Sequence, residues 1–232
     1  MLKFIPLLAM LAYGFLMMQF SVWRTKQNLA SQSHPLRDAD IAALADQMAQ
    51  ALDLPEVKVN VFDVAAVNGL AAPDGQIYIT RGFLEAKARG EVSADELASV
   101  IAHELGHVAL GHSRRRMIDF TGQNAAFMML STLLNRFLPG VGMIIANAIS
   151  RAVMARLSRR DEFEADAYAS ALLVKSGIGT AAQKSLFRKL NALTQGGGSG
   201  VPAWLMSHPA TDDRIAAIEA NEARWTGAKQ IS

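Results

Sequence analysis

Residues 93–108 read Ser93-Ala-Asp-Glu96-Leu-Ala-Ser-Val-Ile-Ala-His103-Glu104-Leu-Gly-His107-Val108, and the expected fold is built around this stretch. Ser93 and Glu96 have the spacing of a capping box, in which each side chain accepts a hydrogen bond from the other residue's backbone N–H. Apolar residues then recur three and four positions apart, as on the buried face of a helix. They are Leu97, Val100, Ile101, Leu105 and Val108. The sequence therefore predicts a helix that begins after Ser93.

The same helix carries His103, Glu104 and His107 in the pattern H-E-x-x-H. Two histidines four residues apart differ by about 40° around a helix axis, so both imidazoles can bind one metal ion. Glu104 lies beside them and off the metal, where it can take a proton from a zinc-bound water and deliver it to a departing amine. The alternative is that the two histidines are ordinary surface residues. A third metal ligand elsewhere in the chain would favour the metal site over this alternative.

The acidic segment Asp161-Glu-Phe-Glu-Ala-Asp166 offers that third ligand. Glu162 and Asp166 begin a helical stripe that continues into apolar residues, whereas Glu164 projects about 200° away from Glu162. The sequence therefore predicts Glu162 as the ligand and Asp166 as the acceptor that orients a ligand histidine. The alternative is a solvated helix start whose acids pair with the neighbouring arginines.

Composition restricts the chemistry further. The chain has 232 residues, 51% of them apolar, and no cysteine, so a metal must be held by histidine and carboxylate.

Residues 1–37 carry four basic side chains and no acidic one, and residues 114–160 carry eight arginines and one acid, Asp119. Both segments are also strongly apolar, which indicates a membrane surface and not nucleic acid.

Phe4 to Trp23 is an uncharged run that, as a helix, rises about 30 Å, the thickness of a bilayer core. Residues 1–27 are therefore predicted as a single membrane anchor, with a cleaved signal peptide as the alternative. Residues 28–36 are predicted as a polar linker, and 37–232 as the catalytic domain. Residues 120–157 are expected to form two helices that lie against the membrane or over the site, with two buried core helices as the alternative.

Shorter patterns outline the remaining elements. Helices are expected at 41–52, 160–175, 180–194 and from Thr211, and strands at 57–62, 65–72 and 76–80. Pro73-Asp74-Gly75 is a turn tripeptide, so these strands are expected to form a small antiparallel sheet. Gly196 to Gly200 has the composition of a flexible link.

The motif His103-Glu-x-x-His107, then Ser158-Arg-Arg-Asp-Glu-Phe-Glu-Ala-Asp166, then Ser207-His-Pro209 with Arg214-Ile215 resembles one family. It is the family of membrane-associated zinc metallopeptidases that includes HtpX, BepA, Oma-type and CaaX prenyl proteases, and the resemblance covers residues 56–225. It implies an α+β, mainly α, zincin-type domain with one zinc ion per chain on His103, His107 and Glu162. Unlike HtpX and the prenyl proteases, this chain is expected to have a single spanning segment, so no intramembrane reaction chamber is expected.

The resemblance also implies roles for residues outside the two helices. Asn68 to Gly75, with Asn68, Gly69, Leu70 and Ala71 as the binding residues, is expected as the edge strand that pairs with an extended substrate. His208 is expected near the metal, as a ligand or a transition-state group, with packing as the alternative. Arg214 is expected to stabilise the oxyanion or bind carbonyls, with pairing to Asp213 or solvent as the alternative.

His112, nine residues after His103, is expected on the opposite side of the helix, in a structural role.

The expected function is a membrane-anchored zinc endopeptidase that cleaves misfolded or membrane-associated proteins in quality control. The alternatives are a zinc-binding but weakly active or latent chaperone or assembly factor of the same fold, and a membrane-binding module without peptidase activity. The expected partners are polypeptide substrates and membrane lipid, with no nucleic acid. The expected location is the bacterial inner membrane with an extracytoplasmic catalytic domain, although the flanking charges do not fix the orientation.

Overall fold

The computed structural model describes residues 5–72, 74–195, 203–209 and 211–228. Helices predominate, and a small mixed sheet lies among them. The elements in chain order are α1 (Ile5–Ser31), β1 (Ser33–Pro35), α2 (Ala39–Ala51), β2 (Val59–Phe62), β3 (Gly69–Ala71), β4 (Ile77–Thr80), α3 (Arg81–Ala88), α4 (Ala94–Ala109), α5 (His112–Phe137), α6 (Gly142–Lys175), α7 (Ala181–Gln195), α8 (Ala203–Ser207) and α9 (Asp212–Ala228).

The four described strands lie in the order β1-β2-β4-β3. β1 pairs with β2 and β3 with β4 in antiparallel fashion, but β2 and β4 are parallel, with Val59 opposite Ile77. The prediction of an antiparallel sheet is therefore wrong for this central pair. The chain passes from β2 to the far edge of the sheet before it turns back into β4, so β4 runs in the same direction as β2. All four residues of β4 are buried, as in a central strand covered on both faces.

The segment expected as a linker, residues 28–36, contains a helix end and a short strand. Residues 28–31 belong to the end of α1, and β1 lies within residues 33–35, where its backbone pairs with β2. A strand of three residues is too short to show an alternating side-chain pattern, so the sequence does not predict it. Leu29 of α1 is buried and belongs to a small cluster with Ala72 and Tyr78.

The structure also bears on the N-terminal anchor. Across the described part of the chain, no helix is both long and apolar enough to cross a membrane. The side chains of residues 5–12 lie outside that described part, as do residues 1–4 altogether. The anchor at residues 1–27 stays a prediction.

Helix α4 has the capping box that the sequence predicts. The Ser93 hydroxyl accepts from the Glu96 N–H at 3.1 Å, and the Glu96 carboxylate accepts from the Ser93 N–H at 2.8 Å. Every residue of α4 from Glu96 to His107 is buried. Gly106 allows a close crossing with α6, because a Cβ there would lie 2.9 Å from the carbonyl oxygen of Ala165. The two helices that carry the motifs thus meet at the centre of the domain.

Residues 120–157 fall in two long helices, α5 and α6, joined by a short turn at Gly140, whose φ is +83°. The second of them continues without a break into the predicted helix 160–175. Many of the described apolar side chains near the turn are exposed, for example Met129 at 74%, Phe137 at 72% and Ile144 at 67%. This exposure is the opposite of what a pair of core helices shows.

Candidate metal centre

His103 and His107 project from α4 toward one point. Their Nε2 atoms lie 3.1 Å apart, and both side chains are almost completely buried. Four residues of separation on a regular helix produce this arrangement, as expected from the sequence. The Nε2 sides of both rings therefore face a common centre, and the Nδ1 sides face away from it.

Glu162 of α6 closes the centre from the opposite side. Its Oε2 lies 3.4 Å from His103 Nε2, and its Oε1 lies 3.5 Å from His107 Nε2. Glu164 points elsewhere, to the guanidinium groups of Arg115 and Arg160 at 2.7 Å each. Their hydrogen bonds lower the pKa of Glu164 to about 2. The helical phase predicted for α6 thus matches the observed placement of the two glutamates.

His208, which follows α8, supplies a fourth group. Its Nδ1 lies 2.9 Å from Glu162 Oε2 and 3.3 Å from His103 Nε2. One potential ligand atom from each of His103, His107, Glu162 and His208 lies within 4.8 Å of the others, and all four residues are buried. Imidazole nitrogen and carboxylate oxygen are ligands that zinc takes in proteins, so the donor set fits this metal.

Asp166 lies one turn after Glu162 and contacts His103. The Nδ1–H of His103 donates to Asp166 Oδ1 at 2.9 Å, which is the contact predicted for a carboxylate that orients a ligand histidine. Burial alone would raise the pKa of Asp166, but hydrogen bonds from Arg214 and His103 hold it below its ordinary value. Asp166 therefore stays ionised.

Arg214 of α9 is buried behind the acids. Its Nε and Nη2 atoms donate to Asp166, and its Nη1 atom donates to the carbonyl oxygen of Pro209 and lies 3.3 Å from Glu162 Oε2. All three guanidinium nitrogens are thus directed at groups of the protein. The structure places this residue against the carboxylates of the centre, and its expected role toward an oxyanion stays a prediction.

The charges of the centre call for a cation. Burial by itself lowers the pKa of His103, but hydrogen bonds to Asp166 and Glu162 outweigh burial and raise it to about 9. Burial would raise the pKa of Glu162, yet hydrogen bonds with His103 and His208 hold it far below its ordinary value. The two carboxylates therefore favour a positive charge among the imidazoles, and a divalent cation would supply it.

Glu104 lies next to the centre and contacts a residue that the sequence reading missed. The indole Nε1–H of Trp204 donates to Glu104 Oε1 at 3.2 Å, and the Trp204 ring packs against the rings of His103 and His208. No spacing or motif marks Trp204 in the sequence, because it lies 100 positions from Glu104.

His112 is the second residue whose place differs from expectation. Gly111 has a φ of +65° and ends α4, so His112 begins α5 and does not continue around α4. Its Nδ1 then lies 2.8 Å from Nδ1 of His107. A glycine just past the end of a helix is a known termination signal, and Gly111 could have revealed this break.

The expected substrate strand is β3, at one edge of the described sheet. The backbone of Asn68 is fixed by hydrogen bonds with Thr80, and β3 pairs Gly69, Leu70 and Ala71 with β4. A Cβ at Gly69 would lie 2.7 Å from a methyl group of Val100, so a larger residue at this position would have to displace that side chain. The strand therefore lies directly against the helix that carries His103.

Comparisons with known proteins identify a peptidase family. A model of the family described as Peptidase family M48 matches residues 35–222. The chain is 29% identical to the metalloprotease LoiP of Escherichia coli over 217 residues, which cover 80% of this chain and 81% of that protein. It is 27% identical to the protease HtpX of Pseudomonas aeruginosa over 239 residues, covering 87% and 80% of the two chains. It is also 32% identical over 156 residues to a putative beta-barrel assembly-enhancing protease of Vibrio cholerae, covering 64% and 31%.

Proposed function

Because the chain belongs to peptidase family M48 and is a metalloprotease, we propose that it is a membrane-anchored zinc endopeptidase that cleaves misfolded or membrane-associated proteins. The observation that carries the zinc assignment is the buried convergence of two helical histidines and Glu162. We assign one zinc ion per chain to His103, His107 and Glu162. Zinc bound there supplies Lewis-acid chemistry, which lowers the pKa of water and polarises a peptide carbonyl.

Glu104 is the general base of this proposal. It is adjacent to His103 in sequence and is held by Trp204 at Oε1, so its carboxylate has a fixed orientation. A carboxylate so placed can accept a proton from the attacking water and pass it to the leaving amine. Asp166 orients the ligand His103, and Arg214, which is also proposed to stabilise the oxyanion, holds Asp166 in place.

Strand β3 is proposed to bind the substrate backbone. An unpaired edge offers backbone N–H and C=O groups with which an extended peptide can pair as an additional strand. Asn68, Gly69, Leu70 and Ala71 are the residues assigned to this contact. The position of Gly69 supports this assignment. Gly69 lies against Val100 of α4, which is one helical turn before the zinc ligand His103.

The membrane association rests on two segments. Residues 1–27 are proposed as a single-pass anchor because Phe4 to Trp23 carries no charge. The hairpin of α5 and α6 is proposed to lie on the lipid surface, because exposed apolar side chains at its turn are accompanied by exposed Arg136, Arg151 and Arg156. We assign the protein to the bacterial inner membrane with an extracytoplasmic catalytic domain.

One observation favours a second candidate, a weakly active or latent chaperone of the same fold. His208 lies among the proposed ligands, with Nδ1 2.9 Å from Glu162 Oε2. A fourth protein ligand would fill the position that a catalytic zinc site keeps open for water. The intact Glu104 argues for the peptidase.

Cleavage of casein by the purified chain tests the proposal. We expect hydrolysis that a chelator abolishes and that zinc restores. The Glu104→Gln variant, with its zinc content measured in parallel, is the control for a contaminating protease. Cleavage that persists in the chelator or in the variant would contradict the proposed peptidase, and zinc binding without any cleavage would favour the chaperone.

A further inference from the structure

We propose that His112 is a positioning residue for the ligand histidine His107, and that Glu164 fixes the proton on His112. The inference rests on the proposed zinc site. It starts from the contact of 2.8 Å between the Nδ1 atoms of His107 and His112. Two imidazole nitrogens at this distance share one proton, so one ring donates and the other accepts.

The direction of that hydrogen bond follows from the position of His107. Its Nε2 faces the centre, 3.1 Å from Nε2 of His103. A ligand imidazole binds zinc through an unprotonated nitrogen and is neutral, so the proton of His107 is on Nδ1. His107 therefore donates, and Nδ1 of His112 is the acceptor.

This assignment fixes the other nitrogen of His112. With Nδ1 unprotonated, the neutral ring carries its proton on Nε2, which lies 3.3 Å from Glu164 Oε2 and 3.9 Å from Asp161 Oδ1. Two carboxylates thus face the protonated nitrogen, and the ring itself is completely buried. The chain of contacts from His107 through His112 to Glu164 has a donor and an acceptor at every step.

The two ligand histidines are therefore held differently. His103 donates directly to a carboxylate, Asp166, whereas His107 donates to a neutral imidazole that is backed by a carboxylate. A charged acceptor makes a ligand imidazole more basic than a neutral acceptor does. His112 thus orients His107 without adding a second negative charge beside the metal.

His112, Asp161 and Glu164 form a cluster that could also bind a second metal ion, which is the alternative interpretation. Arg115 already contacts both acids, with Nη1 2.7 Å from Glu164 Oε2 and 3.4 Å from Asp161 Oδ1. The guanidinium group supplies the positive charge that a metal would bring. The cluster therefore serves the first metal centre and not a second one.

The first test uses the unaltered, zinc-loaded chain. Long-range proton–nitrogen NMR correlations of labelled histidine report which ring nitrogen carries the proton. We expect His112 to be protonated on Nε2 alone and His107 on Nδ1 alone. A proton on Nδ1 of His112 would overturn the inference while leaving the zinc site intact. A chain that binds no zinc would overturn the proposed function and, with it, the role of His112.

The second test compares zinc affinity in three variants by competition with a chromophoric chelator. His112→Leu removes the acceptor, and we expect a fall of about 10- to 100-fold in affinity. His112→Asn places an amide oxygen near the position of Nδ1 and should recover most of the loss. Arg160→Gln, which removes an exposed partner of Glu164, is the control and should bind zinc as the unaltered chain does. Equal losses in the Leu and Asn variants would reduce His112 to a packing role.

Discussion

Arg214 holds Asp166 through two parallel hydrogen bonds, from Nε to Oδ2 at 2.6 Å and from Nη2 to Oδ1 at 2.8 Å. The same Oδ1 accepts from His103, so α9 fixes a residue of α6 that in turn orients a residue of α4. Both members of the pair are buried, and a buried arginine that loses its carboxylate is left with an uncompensated charge. The orientation of His103 thus depends on three helices.

The acids of α6 should differ sharply in their effect on zinc. Glu162→Gln removes a proposed ligand and should lower zinc affinity the most. Asp166→Asn should lower it about 10- to 100-fold, because it weakens the hydrogen bond that orients His103. Glu164→Gln should change it little, because glutamine can still accept from His112. Titration with zinc in a competing chelator measures all three, and a loss of zinc in the Glu164 variant alone would contradict the assignment.

Glu104→Gln should retain zinc and lose at least about 100-fold in kcat, the scale of a positioned proton acceptor. Metal content by atomic absorption and casein cleavage give the two readouts. Asp95→Asn, which alters an exposed acid of the same helix, is the matched control and should keep its activity. Unchanged proteolysis in the Glu104 variant would show that another residue is the base.

His208→Ala should keep its zinc and raise self-cleavage, because His208 fills the space beside Glu162 and its removal opens that side of the centre. Gly196 to Gly200, which lies outside the described residues, has a composition that would allow the segment of His208 to move. A fall in kcat with unchanged metal content would instead assign His208 to the transition state. His34→Ala, at an exposed histidine of β1, is the control.

A chain without residues 1–27 should still float with anionic vesicles at low salt and should leave them as salt rises, because arginine attraction to lipid is screened. Substitution of Arg136, Arg151 and Arg156 by glutamine should lower the bound fraction, and neutral vesicles should bind less protein. Failure to float with anionic vesicles would contradict the proposed contact of the α5–α6 hairpin with lipid.

The capping box of α4 should make stability depend on pH. Burial would raise the pKa of Glu96, but hydrogen bonds from Lys189, the Ser93 N–H and Ser185 hold it below its ordinary 4.5. A lowered folded-state pKa stabilises the protein above about pH 4.5, and this contribution is lost as the pH falls through the folded-state value. Unfolding of the unaltered chain and of Glu96→Gln should thus differ by about 1–3 kcal/mol at pH 7.

The same difference should shrink in acid as Glu96 becomes protonated in the unaltered chain. Denaturant unfolding at several pH values measures it. Asp46→Asn, at an exposed acid of α2, should show no such trend. A gap that stays constant down to pH 3 would mean that the charge of Glu96 does not contribute.

Local patterns determined much of this protein. The capping box placed the start of α4, and a helical period placed Glu162 toward the histidines and Glu164 away from them. Such features depend on residues within a few positions of one another, where backbone geometry alone fixes relative direction. The membership of the metallopeptidase family followed from the same short motifs.

Tertiary structure alone decided the contacts between distant residues. The parallel pairing of β2 and β4 and the hydrogen bond from Trp204 to Glu104 belong to this class. Arg214 likewise reaches Asp166 across 48 positions of sequence. No periodicity connects residues so far apart, because their meeting depends on how α4, α6 and α9 pack around the core and not on the direction of any single helix.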